Sequence, residues 1–165
     1  MLHAMNARLC LASTGGERVV EVNDFYHGYK QFDLSADELL VRVELPLPDD
    51  QDLVRLYKVS RRRDMDISTF TAAVFMRLDA GVVTEARIAY GAVGPTVLRL
   101  SETEAWLVGQ PFTRDTLHAA GGMAVEEITP ITDVRGTSDY RYQLAKNVLL
   151  KFYEEHAARA VAEPV

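Results

Sequence analysis

The sequence has few of the residues that mark metal sites, secretion or nucleic-acid binding. Cys10 is the only cysteine among 165 residues, so there is no internal disulfide and no cysteine pair with zinc or iron–sulfur spacing. No run of 18 apolar residues and no signal peptide is present. The net charge of −6 disfavours binding to nucleic acid or anionic lipid by charge alone. We therefore expect a cytoplasmic protein with no metal site and no nucleic-acid or membrane partner.

Alternating apolar and polar residues predict strands throughout the first half of the chain. Residues 7–13 and 18–22 flank the glycines of "TGGE" and predict a β-hairpin. Because no strand precedes this hairpin, we expect its natural partner to lie upstream in a longer protein. Four further segments predict an antiparallel meander, and these are 35–48, 53–60, 68–79 and 82–93.

The second half of the chain changes to the period of helices. Helices are predicted at 101–109, where Ser101 and Glu104 form a capping-box pattern, at 113–128, and at 137–160. The last is the clearest, because its apolar residues fall on one face: Ala145, Val148, Leu149, Phe152 and Tyr153. Strands followed by helices indicate an α+β fold. We expect the helices to cover one face of the meander and leave the other face free for a neighbour.

The segment "YKVSRRRDMDIST", residues 57–69, is the most unusual part of the sequence. We call residues 61–66 within it the charged loop. One interpretation is a solvated loop whose ion pairs contribute only ~0–1 kcal/mol. The other is a loop that presents either a guanidinium or a carboxylate to a ligand. No catalytic motif with a nucleophile elbow, a phosphate-binding loop or a zinc-binding His pair is present, so no catalytic residue is predicted.

Four separated segments resemble a known family in sequence and spacing. They are "DFYHGYKQFDLSADELLVRVELPLP", "YKVSRRRDMDIS", "EARIAYGAVGPTVLR" and "SDYRYQLAKNVLLKFY". Together they resemble the C-terminal part of the flavin domain of xanthine dehydrogenase, as found in bacterial small subunits of the molybdenum hydroxylases. The resemblance implies that residues 1–34 are a hairpin remnant, the tail of the FAD-binding subdomain. It implies that residues 35–165 are a domain similar to the CO dehydrogenase flavoprotein C-terminal domain, with a three-stranded antiparallel sheet packed on a helical layer.

The function implied by the resemblance is electron transfer within an oxidoreductase. In this family a molybdenum–pterin centre oxidises a purine, electrons pass through two [2Fe-2S] clusters, and FAD hands them to NAD⁺ or oxygen. The implied partners are the upstream FAD-binding half, an iron–sulfur domain and a molybdopterin-containing subunit. The glycine-rich loops that hold the FAD pyrophosphate in the family belong to upstream sequence. We therefore expect the isolated chain to bind FAD weakly or not at all and to be inactive.

The resemblance also assigns cofactor-binding residues. Leu40 corresponds to a residue that packs on the flavin ring or offers backbone to it, and Lys58 to one that places its ammonium beside the ring. The charged loop corresponds to a loop near the flavin, which carries Arg61, Arg62, Arg63, Asp64 and Asp66. A cation near a flavin stabilises the reduced, anionic ring and a carboxylate disfavours it.

Two alternatives remain open from the sequence. The same domain could serve a carbon monoxide or aromatic-acyl-CoA enzyme. It could also be a docking module with no ligand of its own. Titration of the purified chain with FAD bears on these alternatives, because saturable micromolar binding favours a cofactor half-site and no binding favours a docking module or a fragment.

Overall fold

The computed structural model describes residues 1–62 and 67–162, with side chains through residue 157. Nine strands and four helices are described in these ranges, and the predicted α+β fold is confirmed. The strands are β1 Arg8–Ser13, β2 Gly16–Glu21, β3 Tyr26–Gly28, β4 Gln31–Phe32, β5 Leu39–Glu44, β6 Leu53–Val59, β7 Phe70–Asp79, β8 Val82–Gly91 and β9 Leu98–Arg99. The helices are α1 Val22–Phe25, α2 Ser101–Leu107, α3 Arg114–Ala124 and α4 Ser138–Ala162. Within the described ranges, no helix is both long enough and apolar enough to cross a bilayer.

The amino-terminal unit is a three-stranded antiparallel sheet with the order β2-β1-β5. The predicted hairpin of β1 and β2 is confirmed, with Cys10 opposite Val19. β5 does not pair with β6 as the predicted meander required. It pairs with β1 instead, where Leu40 lies opposite Leu11. The predicted domain boundary between residues 34 and 35 stays a prediction, although β5 shares a sheet with the hairpin.

The larger sheet has the order β6-β7-β8-β9 and is antiparallel throughout. Three strands are long, as predicted, and β9 adds two residues. Ala80 and Gly81 both have positive φ and close the hairpin between β7 and β8. The main core lies between this sheet and helices α2–α4, and includes Phe70, Tyr90 and Phe152.

The sheet face opposite the helices is partly covered, which contradicts the prediction that it is free. Ala73 on β7 and Ala89 on β8 are buried together with Ala4 of the amino-terminal segment. Arg99 holds that segment in place, because its Nη1 donates to the His3 carbonyl at 3.0 Å. The amino-terminal segment therefore uses part of the face that the sequence left for a neighbour.

The three predicted helices are present, but α2 begins differently from the prediction. The Ser101 side chain does not cap α2, so the predicted capping box of Ser101 and Glu104 is wrong. Glu104 instead accepts a hydrogen bond from the Ile88 amide at 2.6 Å. Glu127 supplies the cap, because its carboxylate accepts from the Glu102 and Thr103 amides at 3.0 and 2.8 Å.

Candidate functional site

An open cavity of about 510 Å³ lies between the amino-terminal sheet and the loop at residues 94–97. We call it the Leu40 cavity. Leu40 lies in its wall and is 50% exposed, and most of the wall is apolar. Leu9, Val43 and Val97 are among these apolar lining residues, and Lys30 adds a charge. Concave apolar surface with a few polar groups is typical of a cofactor site.

The entry to β5 is held by a cluster of charged side chains around Arg18 on β2. Arg18 donates to Glu38 at 2.6 and 2.9 Å and to Asp33 at 2.8 Å. Glu38 also accepts from the Ser35 amide at 2.8 Å. The Arg18 guanidinium, followed by the Ser35 amide, lowers the pKa of Glu38 to about 2. The cluster fixes the segment that leads to Leu40.

Lys58 lies near the end of β6, the first strand in the order of the larger sheet. The neighbouring Tyr57 donates a hydrogen bond to Glu155 on α4 at 2.8 Å. Because successive side chains alternate across a strand, Lys58 lies on the face opposite the helices, where it is exposed. It does not line the Leu40 cavity or the two cavities described next. Its predicted contact with the flavin stays a prediction.

The described part of the charged loop borders a second cavity, of about 480 Å³. Arg61 and Arg62 are both exposed and line it together with Ile67, Val134 and Arg135. Arg61 Nη1 donates to the Val134 carbonyl at 3.0 Å.

The remaining predicted loop residues, Arg63, Asp64 and Asp66, lie outside the described residues. The placement of the charged loop near the flavin therefore stays a prediction.

A third cavity, of about 550 Å³, is lined by residues that the sequence analysis missed. Asp133, Arg135 and Arg141 contribute its charged groups, and Ile67 and Arg135 also line the second cavity. The Arg141 guanidinium, followed by the Arg135 amide, lowers the pKa of Asp133 to about 2. The signal in the sequence is "TDVRGTSDYR", where alternating charges continue into the first turn of the longest helix.

Comparison with protein families divides the chain into two matching regions. Residues 1–48 match the family described as FAD binding domain in molybdopterin dehydrogenase. Residues 55–156 match the CO dehydrogenase flavoprotein C-terminal domain. β5 and Leu40 fall in the first region, and Lys58 and the charged loop in the second.

Individual relatives span nearly all of this chain. It is 31% identical over 156 residues to a putative xanthine dehydrogenase FAD-binding subunit of Escherichia coli, covering 94% of this chain and 53% of the relative. It is 30% identical over 157 residues to the glyceraldehyde dehydrogenase medium chain of Sulfolobus acidocaldarius, covering 95% and 55%. A solved carbon monoxide dehydrogenase of Hydrogenophaga pseudoflava superposes with a TM-score of 0.84 and 31% identity, covering 90% and 52%. The chain thus spans about half the length of the relatives it matches.

The residues of the amino-terminal unit fit one wall of a flavin site. Leu40 and Val43 on β5 both line the Leu40 cavity and are 50% and 41% exposed, and such apolar surface suits a flat ring or a neighbouring chain. Among the described residues, no group of acidic, His and Cys side chains is arranged to hold a metal ion. The chain belongs to the CO dehydrogenase flavoprotein C-terminal domain family, preceded by part of a FAD-binding domain of the molybdopterin dehydrogenases, and FAD is the cofactor of these proteins.

Proposed function

We propose that this chain is the carboxy-terminal half of a FAD-binding, electron-transferring subunit of a molybdenum hydroxylase. The observation that carries this proposal is the Leu40 cavity, because it is open, mostly apolar and lined mainly by the region that matches a FAD-binding family. When bound, FAD supplies a carrier that takes electrons from iron–sulfur centres and delivers them to a final acceptor. The chain's own part is to shape and charge one side of the flavin site.

We assign three roles to residues of this chain. Leu40 contributes an apolar contact to the ring and excludes water. Lys58 contributes positive charge, which favours a reduced, anionic flavin. The charged loop contributes Arg61 and Arg62 on its described side and controls the approach of the electron acceptor. These roles agree with the exposure of all four side chains.

The upstream half of the protein supplies the rest of the site in this proposal. The glycine-rich loops that hold the pyrophosphate in relatives have no counterpart among these 165 residues. The iron–sulfur and molybdopterin partners are proposed from the relatives, which are named as subunits or medium chains of dehydrogenases.

We further propose xanthine as the substrate of the assembly and leave NAD⁺ and oxygen as alternative acceptors. The support is the pattern of the charged loop and the match to two xanthine dehydrogenase FAD-binding subunits at 31% identity. The relatives named for glyceraldehyde and carbon monoxide are 30% and 31% identical. The test is oxidation of xanthine, glyceraldehyde and carbon monoxide by the purified assembly, with xanthine expected to be turned over fastest. Faster turnover of either other substrate contradicts the assignment.

The cofactor proposal is tested by titrating the complete subunit and the 165-residue chain with FAD and following flavin fluorescence. We expect saturable binding with one FAD per complete subunit and no saturation of the isolated chain in the micromolar range. A complete subunit that binds no FAD contradicts the proposal and favours a docking module. Saturable micromolar binding by the isolated chain would contradict the expected weak binding and would show that this half-site holds FAD without the upstream half.

A further inference from the structure

Arg141 is a buried arginine in the first turn of α4 that the proposed function does not use. Its side chain is 3% exposed. Nη1 donates to the Ile131 carbonyl and Nη2 to Asp133 Oδ1, both at 2.6 Å. Its Nε is buried without a hydrogen-bond partner among the described residues. A buried ion pair contributes little net stability and serves geometric specificity in the best-studied cases, which points to the geometry that Arg141 fixes.

The bonds from Arg141 end on a short segment, residues 131–136, which we call the 131–136 turn. Asp133 and Gly136 bond to each other in both directions, amide to carbonyl, at 3.0 and 3.2 Å. Asp133 Oδ1 accepts from the Arg135 amide at 2.8 Å as well as from Arg141. Asp133 therefore links α4 to the backbone of the turn, beside the direct bond from Arg141 to the Ile131 carbonyl.

The 131–136 turn also bonds to Arg61 and Thr69, described residues on the two sides of residues 63–66. On one flank, Arg61 Nη1 donates to the Val134 carbonyl at 3.0 Å. On the other, Thr69 Oγ1 donates to the Arg135 carbonyl at 3.0 Å, and Thr69 is 1% exposed. A Cβ at Gly136 would lie 2.8 Å from Thr69 Cγ2, so the backbone of the turn packs closely against the Thr69 side chain.

We propose that Arg141 is a positioning residue for Arg61 and Thr69, described residues on either side of residues 63–66, and that it acts through the 131–136 turn. We call this path the relay: Arg141 bonds to Ile131 and Asp133 of the turn, and the turn bonds to Arg61 and Thr69. The inference rests on the proposed function only for the location of the loop beside the flavin. The relay itself depends on bonds within this chain.

The first test compares Arg141→Lys with Arg114→Lys in the complete flavin subunit. Lysine keeps the charge but cannot reach two acceptors in the plane of a guanidinium. Arg114 pairs with Glu154 at 2.9 Å on the exposed surface, so it is a matched control. The measurement is residue-resolved hydrogen exchange of the Thr69 amide, which donates to the Val59 carbonyl at 2.8 Å. We expect exchange about tenfold faster in Arg141→Lys and unchanged in Arg114→Lys.

The second test separates a relay from a general loss of core stability. The double variant Arg61→Ala/Thr69→Val removes both side-chain bonds between the loop flanks and the turn. In that background, Arg141→Lys should change exchange of the residue 69 amide less than about twofold. An equal acceleration in both backgrounds overturns the relay. If the circular dichroism spectrum shows that Arg141→Lys does not fold, Asp133→Asn takes its place in the same exchange measurement. We expect exchange of the Thr69 amide about tenfold faster in Asp133→Asn. Unchanged exchange in that variant overturns the proposal.

The flavin potential of the complete subunit keeps this inference distinct from the proposed function. When both are correct, Arg141→Lys and Arg61→Ala shift the potential in the same direction. A potential that Arg61→Ala leaves unchanged counts against the loop's place beside the flavin. The exchange measurements then still decide the relay, because they do not need the cofactor.

Discussion

At the scale of single residues, Glu38 shows how one carboxylate fixes the approach to Leu40. Its two oxygens bind the Arg18 guanidinium at 2.6 and 2.9 Å, and its side chain is 10% exposed. The pKa of Glu38 is lowered to about 2, mainly by Arg18. Its contribution to stability is therefore present above the unfolded pKa of ~4.3 and is lost as the pH falls through the folded pKa.

We predict that Glu38→Gln lowers the free energy of unfolding at pH 7 and that the difference from the parent shrinks below about pH 4.3. Urea unfolding at pH 7, 5, 4 and 3 measures it. Glu126→Gln is the control, because Glu126 is exposed and is likewise a glutamate. A difference that stays constant down to pH 3 would show that Glu38 acts through its shape and not through its charge.

Lys58 is the residue whose proposed role depends most directly on the bound flavin. We predict that Lys58→Gln lowers the reduction potential of the flavin in the complete subunit, because it removes a cation that favours the reduced ring. A loss of ~1 kcal/mol corresponds to about 20 mV for a two-electron couple. Lys146→Gln carries the same change of charge at an exposed position on α4 and should leave the potential unchanged. Equal shifts in the two variants would remove Lys58 from the flavin site.

At the scale of elements, the packing of α3 on α4 depends on one glycine of a pair. A Cβ at Gly121 would collide with the Lys146 carbonyl, whereas a Cβ at Gly122 would meet nothing within 4 Å. Gly121 is therefore the point at which the two helices approach closely enough to exclude a side chain.

We predict opposite effects for alanine at these two adjacent positions. Gly121→Ala should destabilise the fold by about 1–3 kcal/mol, because the new methyl forces the helices apart. Gly122→Ala should stabilise it by about 0.5–1 kcal/mol through helix propensity. Chemical denaturation of the two variants measures both values, and a gain in stability at position 121 would contradict the packing seen here.

The sequence predicts elements well where the pattern is local. The helical face of Ala145, Leu149 and Phe152 is confirmed, since all three are buried. The failures come from long-range partners. The amino-terminal end of α2 is capped by Glu127, which lies 24 residues beyond Thr103 in the sequence. No local sequence pattern predicts this contact. The residues of β5 likewise predict a strand. Their pattern does not predict that this strand pairs with β1 and not with β6.

The site is predicted less completely than the fold, for the same physical reason. Leu40 was assigned by resemblance, and it lines an open apolar cavity. Asp133 and Arg141 were missed because their importance lies in bonds to carbonyls and to each other, which have no sequence period. Clusters of charged residues near the start of a helix are common, so the sequence alone does not single this one out. Its contact with a distant loop depends on tertiary structure.

At the scale of the whole molecule, the amino-terminal unit carries much of the exposed apolar surface. Val41 and Val43 on β5 are 51% and 41% exposed, in addition to Leu39 and Leu40. A strand that exposes apolar residues along most of its length is unusual for a complete soluble domain. Under the proposed function, FAD and the upstream half of the subunit cover this surface; the chain spans about half the length of these relatives.

The last prediction is tested with the complete subunit and with the 165-residue chain. Leu40→Asp should weaken FAD binding to the complete subunit by about tenfold, because a buried leucine contributes ~1.5–3 kcal/mol. The same substitution should change the stability of the 165-residue chain by less than ~0.5 kcal/mol, since Leu40 is already half exposed there. Val108→Asp is the matched control, as Val108 is also 50% exposed but lies at the end of α2. FAD titration of the complete subunit and urea unfolding of the chain supply the two measurements. If Leu40→Asp and Val108→Asp bind FAD equally well, the cavity beside β5 is not the flavin site.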